Sequence, residues 1–197
     1  MGQARIVNGR DDSPRGKLLS AAARLFRKHG FDRTTVRDIA RETGIQSGSL
    51  FHHFASKEDI LFAVMMEVIR FNTERLRQAV AGIEDPVEQL RRLIRAELQS
   101  IVGDTSEAMT VLVYEWRCLS PEKQQLALAE RDIYERFWLD SLKAAKQAGA
   151  MQADPLVMRR LINGMTSWAS NWYDPKGSLD LDGLADTILE RVTGVPR

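Results

Sequence analysis

Five of the six prolines in this chain follow a Ser or an Asp, and four of those pairs stand at the head of a stretch with helical apolar spacing. They are Ser13-Pro14, Asp85-Pro86, Ser120-Pro121 and Asp154-Pro155. A side-chain oxygen at the residue before a helix accepts an orphan backbone N–H, and proline at the first helical position loses no hydrogen bond. A chain punctuated this way is divided into helices. The intervals agree with that division. After Pro14, Leu18, Leu19, Ala22, Leu25 and Phe26 recur at the spacing of one helix face, and Gly30 follows. Thr35-Val36-Arg37-Asp38 reads as a capping box that opens a short helix with Ile39 and Ala40 inward, closed by Gly44.

Further helices are predicted over 47–53, 57–81, 86–102, 106–118, 121–147, 155–172 and 181–193, with the loop YDPKGS at 173–178. Acids fill the first turn after Ser56, where the helix dipole favours them. Strand alternation is missing, so the expected fold is all-α with nine helices. Residues 1–12 read as a flexible basic arm, 13–56 as one domain and 57–197 as a second.

A single cysteine, Cys118, excludes an intrachain disulfide framework and a thiolate zinc cluster. The first 17 residues carry charge but no apolar core of a secretory signal. The longest apolar stretch, LFAVMMEVI at 61–69, contains Glu67 and falls short of the roughly 20 residues a membrane span needs. The expectation is a cytoplasmic protein without a membrane partner. Net charge is +1, but it is uneven: residues 1–60 hold 11 Lys and Arg against 7 Asp and Glu, and the rest hold 17 against 20. A basic front suits a polyanionic partner.

That front contains SGSLFHHFASKEDI, 47–60, where two histidines, Ser, Lys and two carboxylates crowd together. Neighbouring helical residues point about 100° apart, so His52 and His53 cannot chelate one ion as i, i+4 pairs do. No Ser-His-Asp spacing, phosphate loop or paired-carboxylate cleft is found, which argues against an enzyme and against a metal or other cofactor. Three helices of about 16, 8 and 7 residues, the last two joined by ETGI at 42–45, have helix-turn-helix dimensions. Gln46, Ser47, Gly48 and Ser49 let a backbone approach base edges and phosphates in a major groove.

The run TTVRDIARETGIQSGSLFHHFASKEDIL, 34–61, resembles the DNA-binding segment of the TetR/AcrR family of bacterial repressors. Phe51 stands where that family usually has Tyr, and Thr43 where Ala is common. The resemblance implies a nine-helix TetR-type fold, with a three-helix DNA-binding unit and a C-terminal bundle for ligand binding and dimerisation. It implies that Thr34 and Thr35 hold phosphates, and that Arg37, Gln46, Ser47 and Ser49 face base edges or adjacent phosphates beside Gly48. Phe51 would meet a thymine methyl or sugar, His52 a phosphate, and Lys57 the DNA backbone. Arg5, Arg10 and Arg15 would reach a minor groove from the arm. Leu50, His53 and Phe54 are expected to pack in the core.

Beyond residue 60 the chain is rich in aromatic and Met residues, including all four tryptophans. Most should be bundle core, yet such a bundle can enclose a ligand. The stretches 114–137 and 163–186 are similar to a TetR branch that regulates lipid and steroid breakdown and often senses acyl-CoA thioesters. An acyl-CoA needs an apolar tunnel and cations for its phosphates. Met66, Phe71, Tyr114 and Trp116 are candidate lining residues, with Phe137, Trp168 and Trp172 further along the chain. Arg117 and Arg131 are the candidate cations, unless they pair internally with Glu115 and Asp132.

The last two helices resemble the family's dimer interface, with Leu156, Leu161, Ile162 and Met165 on one and Leu184, Ile188 and Leu189 on the other. The implied partners are a palindromic double-stranded operator, a small-molecule effector and a second copy of the chain. A regulator of the same fold sensing aromatic or cationic compounds is the alternative.

Overall fold

The computed structural model describes residues 13–45, 48, 50 and 53–194. Eight α-helices have defined bounds: α1 Pro14–His29, α2 Val36–Thr43, α3 Lys57–Val80, α4 Pro86–Val102, α5 Ser106–Tyr114, α6 Pro121–Gln147, α7 Pro155–Trp168 and α8 Leu181–Thr193. Single 3-10 turns follow α5 at Trp116–Cys118 and α7 at Ala169–Asn171. The ninth expected helix, 47–53, falls largely outside the described residues, of which Gly48, Leu50 and His53 are helical. The described residues contain no strand.

The caps act as their chemistry dictates. Ser13, Asp85 and Asp154 accept backbone N–H groups two or three residues on, each ahead of its proline. Each such cap stabilises its helix by about 1 kcal/mol. Two ends differ from expectation. α5 stops at Tyr114 instead of 118, because i→i+3 bonds from Cys118 and Leu119 tighten the chain there. Leu119 is extended and buried, just ahead of the Ser120-Pro121 step that helices avoid. α7 ends at Trp168 and continues only as a 3-10 turn.

The chain forms two compact units, Met1–Arg70 with Asp104–Glu130, and Phe71–Gly103 with Arg131–Arg197. In the first, Leu18, Leu19, Ala22 and Phe26 of α1 pack with Ile39 and Ala40 of α2 and with Ile60, Leu61 and Met65 of α3. Leu50, Val111 and Leu119 complete that core. A smaller cluster joins Met66 and Ile69 of α3 to Ala127 of α6.

In the second unit α4 is the central element. Leu90, Leu93, Ile94 and Leu98 are fully covered, against Trp138 and Leu142 of α6, Ile162 of α7 and Leu184, Ala185, Ile188 and Leu189 of α8. Full burial of each such aliphatic side chain contributes about 1.5–3 kcal/mol.

This apolar core also holds a charged network. The Glu97 carboxylate accepts from Tyr134 Oη at 2.7 Å, Thr166 Oγ1 at 2.6 Å and both Nη atoms of Arg159 at 3.2 and 2.9 Å. Arg159 also donates to Glu135 at 2.8 and 3.0 Å, and its guanidinium lies 4.4 Å from the centre of the Trp138 ring. Burial opposes the Arg159 charge, but Glu97 and Glu135 overcome it and hold the guanidinium protonated. Burial, then the Glu97 charge, pushes the Tyr134 hydroxyl well above its ordinary range.

Candidate functional site

The α1–α2 corner is built from short polar side chains. Thr35 caps α2 reciprocally with Asp38: Asp38 N–H donates to Thr35 Oγ1 at 3.2 Å, and Thr35 N–H to Asp38 Oδ2 at 3.0 Å. The Thr35 hydroxyl and then its N–H hold the Asp38 carboxyl below its usual range. Asp completes this box as Glu usually does. Gly44 ends α2 at φ 68°, a left-handed geometry that suits glycine, and Ile45 N–H reaches back to Ala40 O at 3.0 Å. This closes the turn that follows α2.

Thr34 departs from its expected role. It is buried, and its hydroxyl donates to Gly30 O at 2.8 Å and Leu25 O at 3.3 Å, closing the end of α1. That hydroxyl therefore serves the fold and does not face a phosphate. Thr35 and Arg37 are exposed, and Arg37 pairs with no carboxylate among the described residues.

Of the expected reading residues, Gln46, Ser47, Ser49, Phe51 and His52 lie outside the described residues, as do Arg5 and Arg10. Gly48 is exposed, and a Cβ there would meet nothing within 4 Å, so the backbone is open to close approach. Leu50 and Phe54 are buried as expected, 1% and 9% exposed. His53 is not: it is exposed, so the reading of it as packed core is corrected. Each helical step turns the side chain by about 100°, so His53, three steps after the covered Leu50, need not share its face.

Two basic residues are positioned differently from expectation. Lys57 donates to Phe31 O at 2.7 Å and Asp32 O at 3.4 Å, and its ammonium sits 4.1 Å from the centre of the Phe31 ring. It binds the loop between α1 and α2 to the start of α3. Arg15 lies in the first turn of α1 instead of a loose arm, and pairs with Glu67 of α3 at 2.9 Å.

The candidate effector residues divide between the two units. In the first, Met66 is buried, with Trp116, Phe62 and Leu112 packed against its cluster, and Gln124 Nε2 donates to Trp116 O at 3.3 Å. Tyr114 is 78% exposed. In the second unit Phe137 packs against the core, and Phe71 lies half-buried with the Arg75 guanidinium 4.7 Å from its ring centre. Trp168 and Trp172 are 67% and 52% exposed. Arg117 and Arg131 are exposed as well, and neither makes the alternative internal pair with Glu115 or Asp132 among the described residues. Glu115 accepts instead from Cys118 Sγ at 3.5 Å. Burial, then Glu115, raises the Cys118 thiol.

The expected dimer residues also separate. Ile162, Leu184, Ile188 and Leu189 are buried inside the second unit, and Met165 is half-buried against its core. Ile162, Leu184, Ile188 and Leu189 are already covered within this core and present no surface to a partner, whereas Met165 keeps part of its side chain open. Leu156, Val157, Leu161 and Trp168 point outward, all more than half exposed. Val157, Leu161 and Trp168 recur at four- and seven-residue steps, so they form one apolar stripe along α7. Val157 belongs to it although the apolar spacing gave it no special place.

Among the described residues no helix is long and apolar enough to cross a membrane, and no group of three His, Cys, Asp or Glu could hold a metal ion.

Residues 18–64 match the family model of bacterial regulatory proteins of the tetR family, and residues 83–194 match that of the tetracyclin repressor-like C-terminal domain. Over 200 residues the chain is 34% identical to the HTH-type transcriptional repressor KstR2 of Mycobacterium tuberculosis (strain CDC 1551 / Oshkosh), covering 95% of each chain. The crystal structure of superantigen PfiT is 52% identical with a TM-score of 0.80, covering 92% of this chain and 96% of that one. AibR, solved in complex with isovaleryl coenzyme A and operator DNA, is 27% identical with a TM-score of 0.82, covering 92% and 98%.

Proposed function

The chain belongs to the TetR family of bacterial regulatory proteins, and from that premise we propose that it is a homodimeric, ligand-responsive repressor of transcription acting on a palindromic operator. The observation that carries this reading is the α1–α2 corner. A complete capping box and a left-handed Gly44 hold α2 against a reading segment whose Leu50 is anchored in the core, while Arg37 and Gly48 remain exposed. Residues 13–56 serve as the reading head, 57–197 as the effector and dimer domain, and the arm 1–12, with Arg5 and Arg10, as an accessory to DNA. The family and KstR2 are regulators, which places this chain with binding proteins instead of enzymes. Its place of action is the cytoplasm.

Thr35, Arg37, Gln46, Ser47, Gly48, Ser49, Phe51 and His52 are the DNA-contact set. His53 joins them as an exposed residue, and Thr34 leaves them. Two heads are needed because one short reading helix binds weakly, whereas a two-fold pair reads half-sites about 34–36 Å apart. The stripe Val157, Leu161 and Trp168, with Leu156 beside it, is the dimer surface that supplies the second head.

The effector is an acyl-CoA or a related lipid-like anion. KstR2 is a repressor at 34% identity, and AibR, of the same fold, was solved with an acyl-CoA and DNA together. Arg117 of the first unit and Arg131 of the second are each exposed and without a carboxylate pair among the described residues, and each is a separate candidate cation for its phosphates. Binding shifts α3, the helix that begins at the reading head, towards a geometry that mismatches the operator. A preference of about 3 kcal/mol for that state weakens DNA affinity roughly 150-fold.

The test is a panel of acyl-CoAs, free acids and cationic dyes added to a preformed operator complex. Release by acyl-CoAs supports the reading, and release by cationic dyes alone replaces it with the multidrug-type one. A chain that binds no duplex with sequence preference is not a regulator, and the likeness to PfiT would then become the guide to its role.

A further inference from the structure

Two helices, α3 and α6, have residues in both compact units, and within the first unit they are joined to each other three times. At the start of both helices, Lys123 Nζ donates to Asp59 Oδ1 at 2.6 Å and lies 3.4 Å from Glu58 Oε2. Ser120 N–H, just ahead of α6, donates to Glu58 Oε1 at 2.8 Å. In the middle, Met66 and Ile69 close over Ala127. At the far end Arg70 donates through Nε and Nη2 to Glu130 Oε1 at 2.8 and 2.7 Å. The partners ascend together, so the two helices run in the same sense.

The first turn of α3 is also held on another side. Lys57 fixes it to the carbonyls of Phe31 and Asp32 in the α1–α2 loop. Three successive residues thus grip two different elements: Lys57 the reading head, Glu58 and Asp59 the start of α6. The Lys123 side chain is 20% exposed and meets two carboxylates, whereas the Arg70 side chain is 64% exposed and meets one. A charge that is more covered and doubly paired is screened less, so the Lys123 end is the stiffer of the two.

We propose that this turn is the joint through which displacement of α6 reaches the reading head, with Lys123 as its positioning residue. The proposal rests on the repressor reading above. If α6 moves, Lys123 pulls Glu58 and Asp59, and Lys57 carries the pull to the loop that seats α2. Coupling is reciprocal, so operator bound at the head must in turn restrain the start of α6. That consequence needs no effector to observe.

The experiment is amide hydrogen exchange on the full-length protein, with and without an operator duplex selected from a random-sequence pool. In the natural sequence, operator binding slows exchange across residues 121–130 by at least about three-fold. Lys123→Met keeps operator affinity within about three-fold and keeps operator-induced protection in α1 and α2, but loses the slowing in α6. Lys123→Arg retains the charge and restores it. Glu58→Gln with Asp59→Asn reproduces the Met variant from the other side of the joint, which guards against a folding defect at Lys123 alone.

Slowing in α6 that persists in Lys123→Met, or an Arg variant that behaves like Met, overturns the proposal. So does a natural chain that binds its operator without any change in α6. Failure to select any duplex instead removes the repressor reading, and the joint with it.

Discussion

Arg159 and Glu97 meet inside the second unit through two hydrogen bonds of 3.2 and 2.9 Å, with side chains only 7% and 3% exposed. A buried pair of this kind is poor evidence of net stabilisation, since desolvation consumes most of the attraction, but removing one partner leaves an uncompensated charge. Arg159→Met should therefore cost about 3–5 kcal/mol in urea unfolding. Replacing both partners by Met should cost less than the Arg159→Met single, because no buried charge is then stranded beside Tyr134 and Thr166. A double variant that is worse than the single contradicts this account of the network.

The neighbours Leu161 and Ile162 on α7 should separate association from folding. Leu161→Glu places a charge on the exposed stripe, so sedimentation should show monomers while the thermal midpoint of the monomer fold changes little. Ile162 is fully buried. Ile162→Ala should cost about 2–5 kcal/mol in stability.

Thr34 and His53 exchange the roles their sequence context gave them. Thr34→Val removes the donor to Gly30 O and Leu25 O and should cost about 1–2 kcal/mol of stability. The dependence of operator affinity on salt should stay unchanged, because no phosphate contact is lost. His53→Ala should change stability by less than about 0.5 kcal/mol, as exposed positions do.

The joint at Glu58 and Asp59 also sets an acid limit. The Ser120 N–H holds the Glu58 carboxyl below its ordinary value, and Lys123, then Ser56, does the same for Asp59. A depressed carboxylate contributes stability that is complete above its unfolded pKa, about 4.3 for Glu and 3.9 for Asp, and is lost as pH falls through the folded one. Thermal midpoints should thus fall on acidification below about pH 5, and the difference from the Glu58→Gln, Asp59→Asn variant should shrink over the same range. A difference that grows towards low pH reverses the sign and refutes the assignment.

The elements were legible because each begins with local chemistry. α4 runs from 86 to 102 as its Asp85-Pro86 cap and apolar spacing predict, and α8 from 181 to 193 as its spacing predicts. The end of α5 was not legible, because its break depends on Leu119 being drawn into the core beside a pre-proline residue. Faces were harder than elements. Leu161 and Ile162 are equally apolar and adjacent, so periodicity alone cannot say which turns to α4 and which stays exposed. Lys57 read as a DNA contact through the family resemblance, and a lysine in the first turn of a helix, where it opposes the dipole, offered no local reason against that. Its reason is the carbonyl of Phe31, 26 residues away in sequence. The Lys123 joint is equally non-local.

The central claim is sequence-specific binding of DNA by a two-fold dimer. Selection of duplexes from a random pool at about 150 mM salt, followed by sequencing and a salt titration of the enriched site, tests it most directly. The account predicts enrichment of an inverted repeat with half-site centres about one helical turn apart, an affinity for it at least about a thousand-fold above random duplex, and loss of that enrichment in Leu161→Glu. A pool that remains random after repeated rounds, or an enriched site without two-fold symmetry that Leu161→Glu binds equally well, would contradict it.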